Sequence, residues 1–109
     1  MFVSTQSKLY FMVILGDFDN SHYNHMRDRL DSLGKTHRIM ENVFMLSVDS
    51  INKEPMSVRD VRNIVAGDDL GYCFVIRLNK DFSSAWNLTR ENSEYLLNII
   101  EELQDGKTE

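Results

Sequence analysis

Leu9-Tyr-Phe-Met-Val-Ile-Leu15 is apolar at every position, and Gly16-Asp-Phe-Asp19 follows it directly. A run that is apolar throughout, rather than at alternate positions, indicates a strand buried on both faces. Gly16 permits a sharp exit, and Asp19, Asn20 or Ser21 could each cap the helix that follows. The stretch therefore predicts a central strand that ends in carboxylates and passes into a helix.

The next part of the chain predicts a helix and a hairpin. Periodic apolar residues predict the first helix over residues 21–33, with Gly34 in the left-handed conformation that commonly follows a helix. Two short β-prone runs, residues 36–40 and 43–48, flank Glu41-Asn42. This spacing predicts a tight antiparallel hairpin.

The second half of the chain predicts two more helices and a strand. Ser57 stands three residues before Asp60 and forms a capping box for the second helix. Residues 72–78 predict a strand, and residues 79–88 show no clear period and predict a structured loop. Thr89 is the expected cap of the third helix.

The predicted helices have distinct faces. In the second helix the apolar residues share one stripe: Val58, Val61, Ile64 and Val65. In the third helix a broader apolar stripe contains Tyr95, Leu96, Ile99, Ile100 and Leu103. The outer face of the first helix is expected to carry Asp28, Arg29 and Asp31.

Together these elements predict one ferredoxin-like α+β domain over residues 1–109, with βαββαβ order and an antiparallel four-stranded sheet. Residues 89–104 form an appended C-terminal helix. The 109 residues and 42% hydrophobic content suit one core and are too few for two.

Both faces of the predicted sheet need a cover. Leu9, Phe11, Val13 and Leu15 can face the two crossover helices, which right-handed connections place on one side. The alternate set is also apolar: Tyr10, Met12 and Ile14. We expect the C-terminal helix and a second subunit to cover this other face together, in a two-fold homodimer.

Composition narrows the functional classes. The formal net charge of -5 disfavours broad phosphate neutralisation along nucleic acid. The single cysteine, Cys73, excludes an internal disulfide and a metal site built on paired cysteines, which fits a reducing cytosol. No signal-peptide pattern and no bilayer-length apolar run are evident, so we expect a soluble, unexported, cytoplasmic protein with no membrane partner.

The main chemical candidates are Asp17 and Asp19. Paired carboxylates just past a buried strand can hold Mg²⁺ or Mn²⁺ through oxygen ligands. The alternative is that they cap the helix and solvate a loop. His22 and His25 could join them in a transition-metal site, although helical phasing favours surface histidines.

Other reactive residue types have ordinary structural interpretations. Cys73 lies within a predicted strand and fits a small core residue better than a nucleophile. Phe82 and Trp86 could stack nucleic-acid bases, but aromatic residues beside an apolar helix are more often packing anchors. The basic residues could line a phosphate-binding surface only if the fold gathered them, and a solvated face is the alternative: Arg38, Arg59, Arg62, Arg77 and Lys80.

The chain resembles the small CRISPR-associated subunit of spacer acquisition and its relatives, including SinR-like proteins. Three segments in residues 8–78 carry the resemblance: Met12-Val-Ile-Leu-Gly-Asp-Phe18, Arg38-Ile-Met-Glu-Asn-Val-Phe-Met-Leu46 and Met56-Ser-Val-Arg-Asp-Val-Arg62. It implies a ferredoxin-like monomer that dimerises and, in some members, a metal-dependent nuclease whose strand-end aspartate corresponds to Asp17. Gly16, where an aromatic residue is usual, and the acidic net charge depart from the family.

Two functional hypotheses follow. The first is a metal-dependent nuclease acting on RNA or DNA, with catalytic Asp17 binding Mg²⁺ or Mn²⁺ and Asp19 assisting. The second is a non-catalytic regulatory or inhibitory module, which requires no cofactor and engages a protein partner through its acidic surface and C-terminal helix.

Overall fold

The computed structural model describes residues 8–16, 21–49, 56–68 and 71–104. These residues form four strands and three helices, in the order β1 Lys8–Leu15, α1 Ser21–Leu33, β2 Lys35–Met40, β3 Val43–Asp49, α2 Val58–Ala66, β4 Cys73–Leu78 and α3 Arg90–Gln104. The strands form one antiparallel sheet in the order β2-β3-β1-β4. The predicted α+β class and antiparallel four-stranded sheet are confirmed.

The central position of β1 explains why it is apolar throughout. It pairs with β3 on one side and with β4 on the other. Its side chains therefore alternate between two covered faces. Phe11, Val13 and Leu15 are fully buried on one face, and Tyr10 is buried on the other.

The first face of the sheet packs against α1 and α2. Met26 and Leu30 of α1 and Val61 and Val65 of α2 are fully buried in this core. The predicted apolar stripe of α2 is wrong at Val58 and Ile64, which are 40% and 41% exposed. A short helix buries one narrow line of residues four apart, and these two side chains flank that line.

The α2 helix has well-defined ends. The Ser57 hydroxyl accepts a hydrogen bond from the Asp60 amide, and the Asp60 carboxylate accepts one from the Ser57 amide, both at 3.0 Å. This arrangement confirms the capping box. At the other end, Gly67 has φ 65° and donates its amide hydrogen bond to Asn63 O at 3.1 Å.

Arg29 is not on the outer face of α1, contrary to the sequence prediction. Its guanidinium Nη1 donates to the carbonyls of Val65 and Ala66, at 3.1 and 3.0 Å. A cation is favoured there because the last carbonyls of a helix lack intrahelical partners. Arg29 therefore links α1 to the C-terminal end of α2.

The predicted left-handed conformation of Gly34 is also wrong. Among the glycines in the described ranges, Gly67 is the one with positive φ. Gly34 meets a different requirement, because a Cβ atom placed on it would clash with the Ser47 carbonyl oxygen. The residue therefore lets α1 pass directly into β2 alongside β3.

Candidate functional site

The predicted metal ligands Asp17 and Asp19 lie outside the described residues, but the strand end that precedes them is well defined. The Leu15 amide donates to Asn42 O, and the Asn42 side-chain amide donates to Leu15 O, both at 2.9 Å. The Gly16 amide donates to Tyr72 O at 2.8 Å. The exit of β1 is thus fixed between the β2–β3 hairpin and the segment that enters β4.

Within the described ranges, no group of three or more His, Cys, Asp or Glu side chains is arranged to hold a metal ion. His22 and His25 are both exposed on α1. Their exposure agrees with the interpretation as surface histidines.

Cys73 has the environment of a packing residue. Its side chain is half-buried and packs against the first-face core. Burial raises the pKa of its thiol, and the nearby positive charge of Arg62 only partly opposes this shift. A raised pKa disfavours the thiolate, which is the nucleophilic form.

Among the predicted basic residues, Arg38 lies apart from Arg59, Arg62 and Arg77. Arg38 lies on β2 and Arg77 on β4, the two opposite edges of the sheet. Arg38 donates to Glu41 O from Nε and Nη2, at 3.1 and 2.7 Å, and so holds the hairpin turn. Arg59 and Arg62 lie beside β4 and line a shallow depression there.

An apolar cleft of about 390 Å³ lies on the second face of the sheet. We call it the second-face cleft. Its floor consists of strand residues: Met12, Ile14, Ile39, Met40, Val43, Met45 and Leu78. Its walls consist of residues from the segment 79–89 and from α3: Phe82, Ser84, Ala85, Trp86, Asn87, Leu88, Leu96, Ile99 and Ile100.

Hydrogen bonds hold the walls of the second-face cleft together. The Trp86 indole Nε1 donates to the Ser93 hydroxyl at 3.1 Å, which ties the 79–89 segment to α3. Thr89 caps α3, since its hydroxyl accepts from the Asn92 amide at 3.2 Å. This capping role was predicted, and Phe82 and Trp86 are confirmed as packing residues.

A polar seam joins α3 to the sheet beside the cleft. The Asn92 side-chain amide donates to Ile39 O at 3.0 Å, and its oxygen accepts from His37 Nε2 at 2.7 Å. The rings of His37 and Tyr95 stack with centroids 3.8 Å apart. The Tyr10 hydroxyl donates to the Glu102 carboxylate. These directional contacts fix where α3 lies on the second face.

Burial shifts the titration of two phenols in this seam. Burial is the largest cause of the raised pKa of Tyr10, and the hydrogen bond to Glu102 acts in the same direction. Burial also raises the pKa of Tyr95, although a hydrogen bond with Ser47 opposes it. Both phenols therefore stay neutral at physiological pH.

The two edge strands of the described sheet differ strongly. β2 carries Lys35 and Arg38, and its pairing register shifts between Arg38 and Met40. β4, with the sequence CFVIRL, has one charged residue, Arg77, and keeps a regular register along its length. Tyr72, immediately before β4, and Phe74, within it, are 73% and 62% exposed.

Sequence reasoning did not find the second-face cleft, because its walls depend on a segment without periodicity. The available signal was the concentration of Phe82, Trp86 and Leu88 just before an apolar helix. Such residues predict packing, but their spacing does not show whether the packing leaves space.

Comparisons with protein-family models, with curated proteins and with solved structures gave no match. Over the part of the chain that the structure describes, none of the helices has both the length and the apolar character needed to cross a bilayer.

Proposed function

We propose that this chain is a non-catalytic protein-interaction module that works as a two-fold homodimer, joined along β4. We also propose that it belongs to the ferredoxin-like class. Read from the other edge, the strand order is β4-β1-β3-β2, and the two helices that connect its strands pack on one face. This arrangement supports the class by its topology, as two interleaved βαβ units.

The observation that carries the homodimer is the regular, mainly apolar edge of β4. An edge strand presents unpaired backbone groups, and proteins commonly block such edges with charges, bulges or proline. β2 has two charged residues and a register shift, whereas β4 is regular and almost entirely apolar. The contrast favours β4 as a pairing edge.

A second copy is the occupant that best suits this edge. When a strand pairs antiparallel with its own two-fold copy, the same groups face each other from both sides, and the interface closes on itself. In this pairing the side chains of Tyr72 and Phe74 would be partly covered by cross-strand neighbours from the partner, and full burial of an aromatic side chain contributes about 2 kcal/mol. The sheet would then run continuously through both copies.

The exposed side of α3 supports binding of a further protein. The helix has four glutamates and one arginine, and Leu97 on it is 56% exposed. An acidic surface around an exposed apolar residue suits a basic partner, because complementary charge steers association. The net charge of the whole chain, -5, is negative like this surface of α3.

Light scattering with matched variants tests the homodimer. We expect the wild-type chain to have about twice the mass of one chain at micromolar concentration, as a two-fold dimer requires. Phe74→Lys should give the monomer mass, because a lysine on an edge strand opposes pairing. Met40→Lys is the control, since Met40 is 52% exposed on the opposite edge strand.

A monomeric wild-type chain at high concentration would contradict the proposal. So would a Phe74→Lys variant that remains a dimer while Met40→Lys dissociates, because that result would assign the interface to β2. Hydrogen exchange provides a second readout: the β4 amides should become more protected as the chain concentration rises.

A further inference from the structure

We infer that the second-face cleft is a binding site for an uncharged, largely apolar small molecule. Its volume of about 390 Å³ lies within the range of roughly 300 to 1,000 Å³ that is typical of small-molecule pockets. The inference is independent of the homodimer, because the cleft lies between the sheet and the chain's own α3 and 79–89 segment.

The chemistry of the lining defines the class of ligand. None of the lining residues named above carries a formal charge. A charged ligand would lose its hydration there without an opposite charge to compensate, which is strongly unfavourable. The aromatic rings of Phe82 and Trp86 and the flexible thioethers of Met12 and Met45 instead suit an apolar body of variable shape.

The polar side chains that line the cleft lie on one side of it. The polar side chains among the lining residues are Ser84 and Asn87, both exposed and both in the 79–89 segment. The indole Nε1 of Trp86 already donates to Ser93. The ligand is therefore expected to carry one neutral hydrogen-bonding group, such as a hydroxyl or a carbonyl, which lies toward this segment.

Hydrogen bonds fix the relative positions of the cleft walls. The Trp86–Ser93 contact and the Thr89 cap hold the segment and α3 at fixed positions. The Asn92 contacts with His37 and Ile39 O hold α3 against β2. Apolar side chains around an unfilled space lack dispersion partners, and a ligand of matching chemistry would supply them.

A second copy of the chain suits the second-face cleft less well than a small molecule. Phe74, the most exposed apolar residue within β4, does not line the cleft. Its pairing partner on β1, Ile14, does line the cleft. The edge proposed for dimerisation and the cleft are thus neighbouring but separate features.

Two dyes that differ by one charged group test the inference. N-phenyl-1-naphthylamine is uncharged, and 1-anilinonaphthalene-8-sulfonate adds a sulfonate to the same ring system. Trp86 is the only tryptophan in the chain and lines the cleft, so energy transfer from it reports binding at this place. We expect saturable binding of the uncharged dye, one molecule per chain, and at least about tenfold weaker binding of the sulfonate.

Three substitutions locate the bound dye. Ala85→Phe narrows the wall of the cleft, and Ile14→Phe fills its floor; each should weaken binding of the uncharged dye by about tenfold or more. Ser83→Phe is the matched control, because Ser83 is exposed in the same segment and does not line the cleft. Ala85 is also exposed, so its variant should fold, and circular dichroism checks this.

The uncharged dye should also raise the melting temperature of the wild-type chain and of Ser83→Phe. Binding that does not saturate, equal affinity for the two dyes, or unchanged affinity in a folded Ala85→Phe variant would each overturn the inference. A stoichiometry of one dye per two chains would also overturn it, because the site would then lie between subunits.

Discussion

The two faces of the sheet are built from equally apolar strands but are covered in different ways. On the first face α1 and α2 fill the space, and Phe11, Val13 and Leu15 are fully buried. On the second face Met12 and Ile14 remain half-buried beside a cleft of about 390 Å³. Apolar strand positions therefore determine that a face is covered, but not how completely.

The difference comes from the covering elements. The first face is covered by α1 and α2, the two helices that connect strands of the sheet. Their buried side chains interdigitate with those of the sheet. A single helix and an irregular segment cover the second face, and the polar seam of His37, Asn92, Tyr95 and Glu102 holds the helix in position. Packing dominates the first face, and directional contacts matter more on the second.

Deleting residues 89–109 tests this contrast most severely. The deletion removes α3 and exposes Tyr10 and Met45, which are almost fully buried. Exposed apolar patches of this kind promote association, so we expect aggregation, measured by light scattering. Deleting residues 105–109 alone is the control and should leave the protein monodisperse. A truncated chain that stays monodisperse without α3 would show that the second face needs no cover.

Alanine substitutions on the two faces of β1 compare their packing directly. Phe11→Ala should lower the free energy of unfolding by about 3 to 5 kcal/mol, because the first face cannot fill the cavity. Ile14→Ala should cost about 1 kcal/mol, since Ile14 is half-buried beside existing space. Urea unfolding measures both values, and equal losses would contradict the difference between the faces.

Tyr10→Phe tests the polar seam. Loss of the hydrogen bond to Glu102 should cost about 1 to 2 kcal/mol at pH 8, measured by urea unfolding. The unfolded phenol loses its proton near pH 10, whereas its raised pKa in the folded chain keeps it protonated. The stabilisation is thus complete below about pH 10 and falls as the pH rises further.

The pH dependence of stability distinguishes the effect of Tyr10 ionisation from general alkaline unfolding. Wild-type stability should decline above about pH 10, and Tyr10→Phe should show a shallower decline, with a remainder from Tyr95. Parallel declines in the two proteins would show that the folded phenol of Tyr10 is not protected by burial and Glu102.

Asp17→Asn has the smallest expected effect and concerns the end of the strand shared by both faces. A capping role predicts a loss of about 1 kcal/mol of stability and no metal-dependent phenotype. Isothermal calorimetry with Mn²⁺ and cleavage assays on single-stranded RNA and DNA check this outcome. Metal-dependent cleavage by the wild-type chain that Asp17→Asn abolishes without loss of stability would instead support a nuclease.

Local patterns predicted much of the fold. The α1 bounds, the Ser57 capping box, the Glu41-Asn42 turn and the Thr89 cap each depend on neighbouring residues, and all are present. Arg29 and Gly34 were predicted wrongly because their positions depend on distant partners, the α2 carbonyls and Ser47. The second-face cleft likewise depends on how far a nonperiodic segment lies from the sheet.

In the proposed homodimer, the unequal edges of the sheet would also limit the size of the assembly. A subunit with two adhesive edges behaves like a bifunctional monomer in polymer chemistry and can grow into a filament. On β2, Lys35, Arg38 and the register shift oppose pairing. In the proposed homodimer each subunit would therefore have a single pairing edge, at β4. When the β4 edges of the two copies pair with each other, no pairing edge remains free, so growth stops at the dimer.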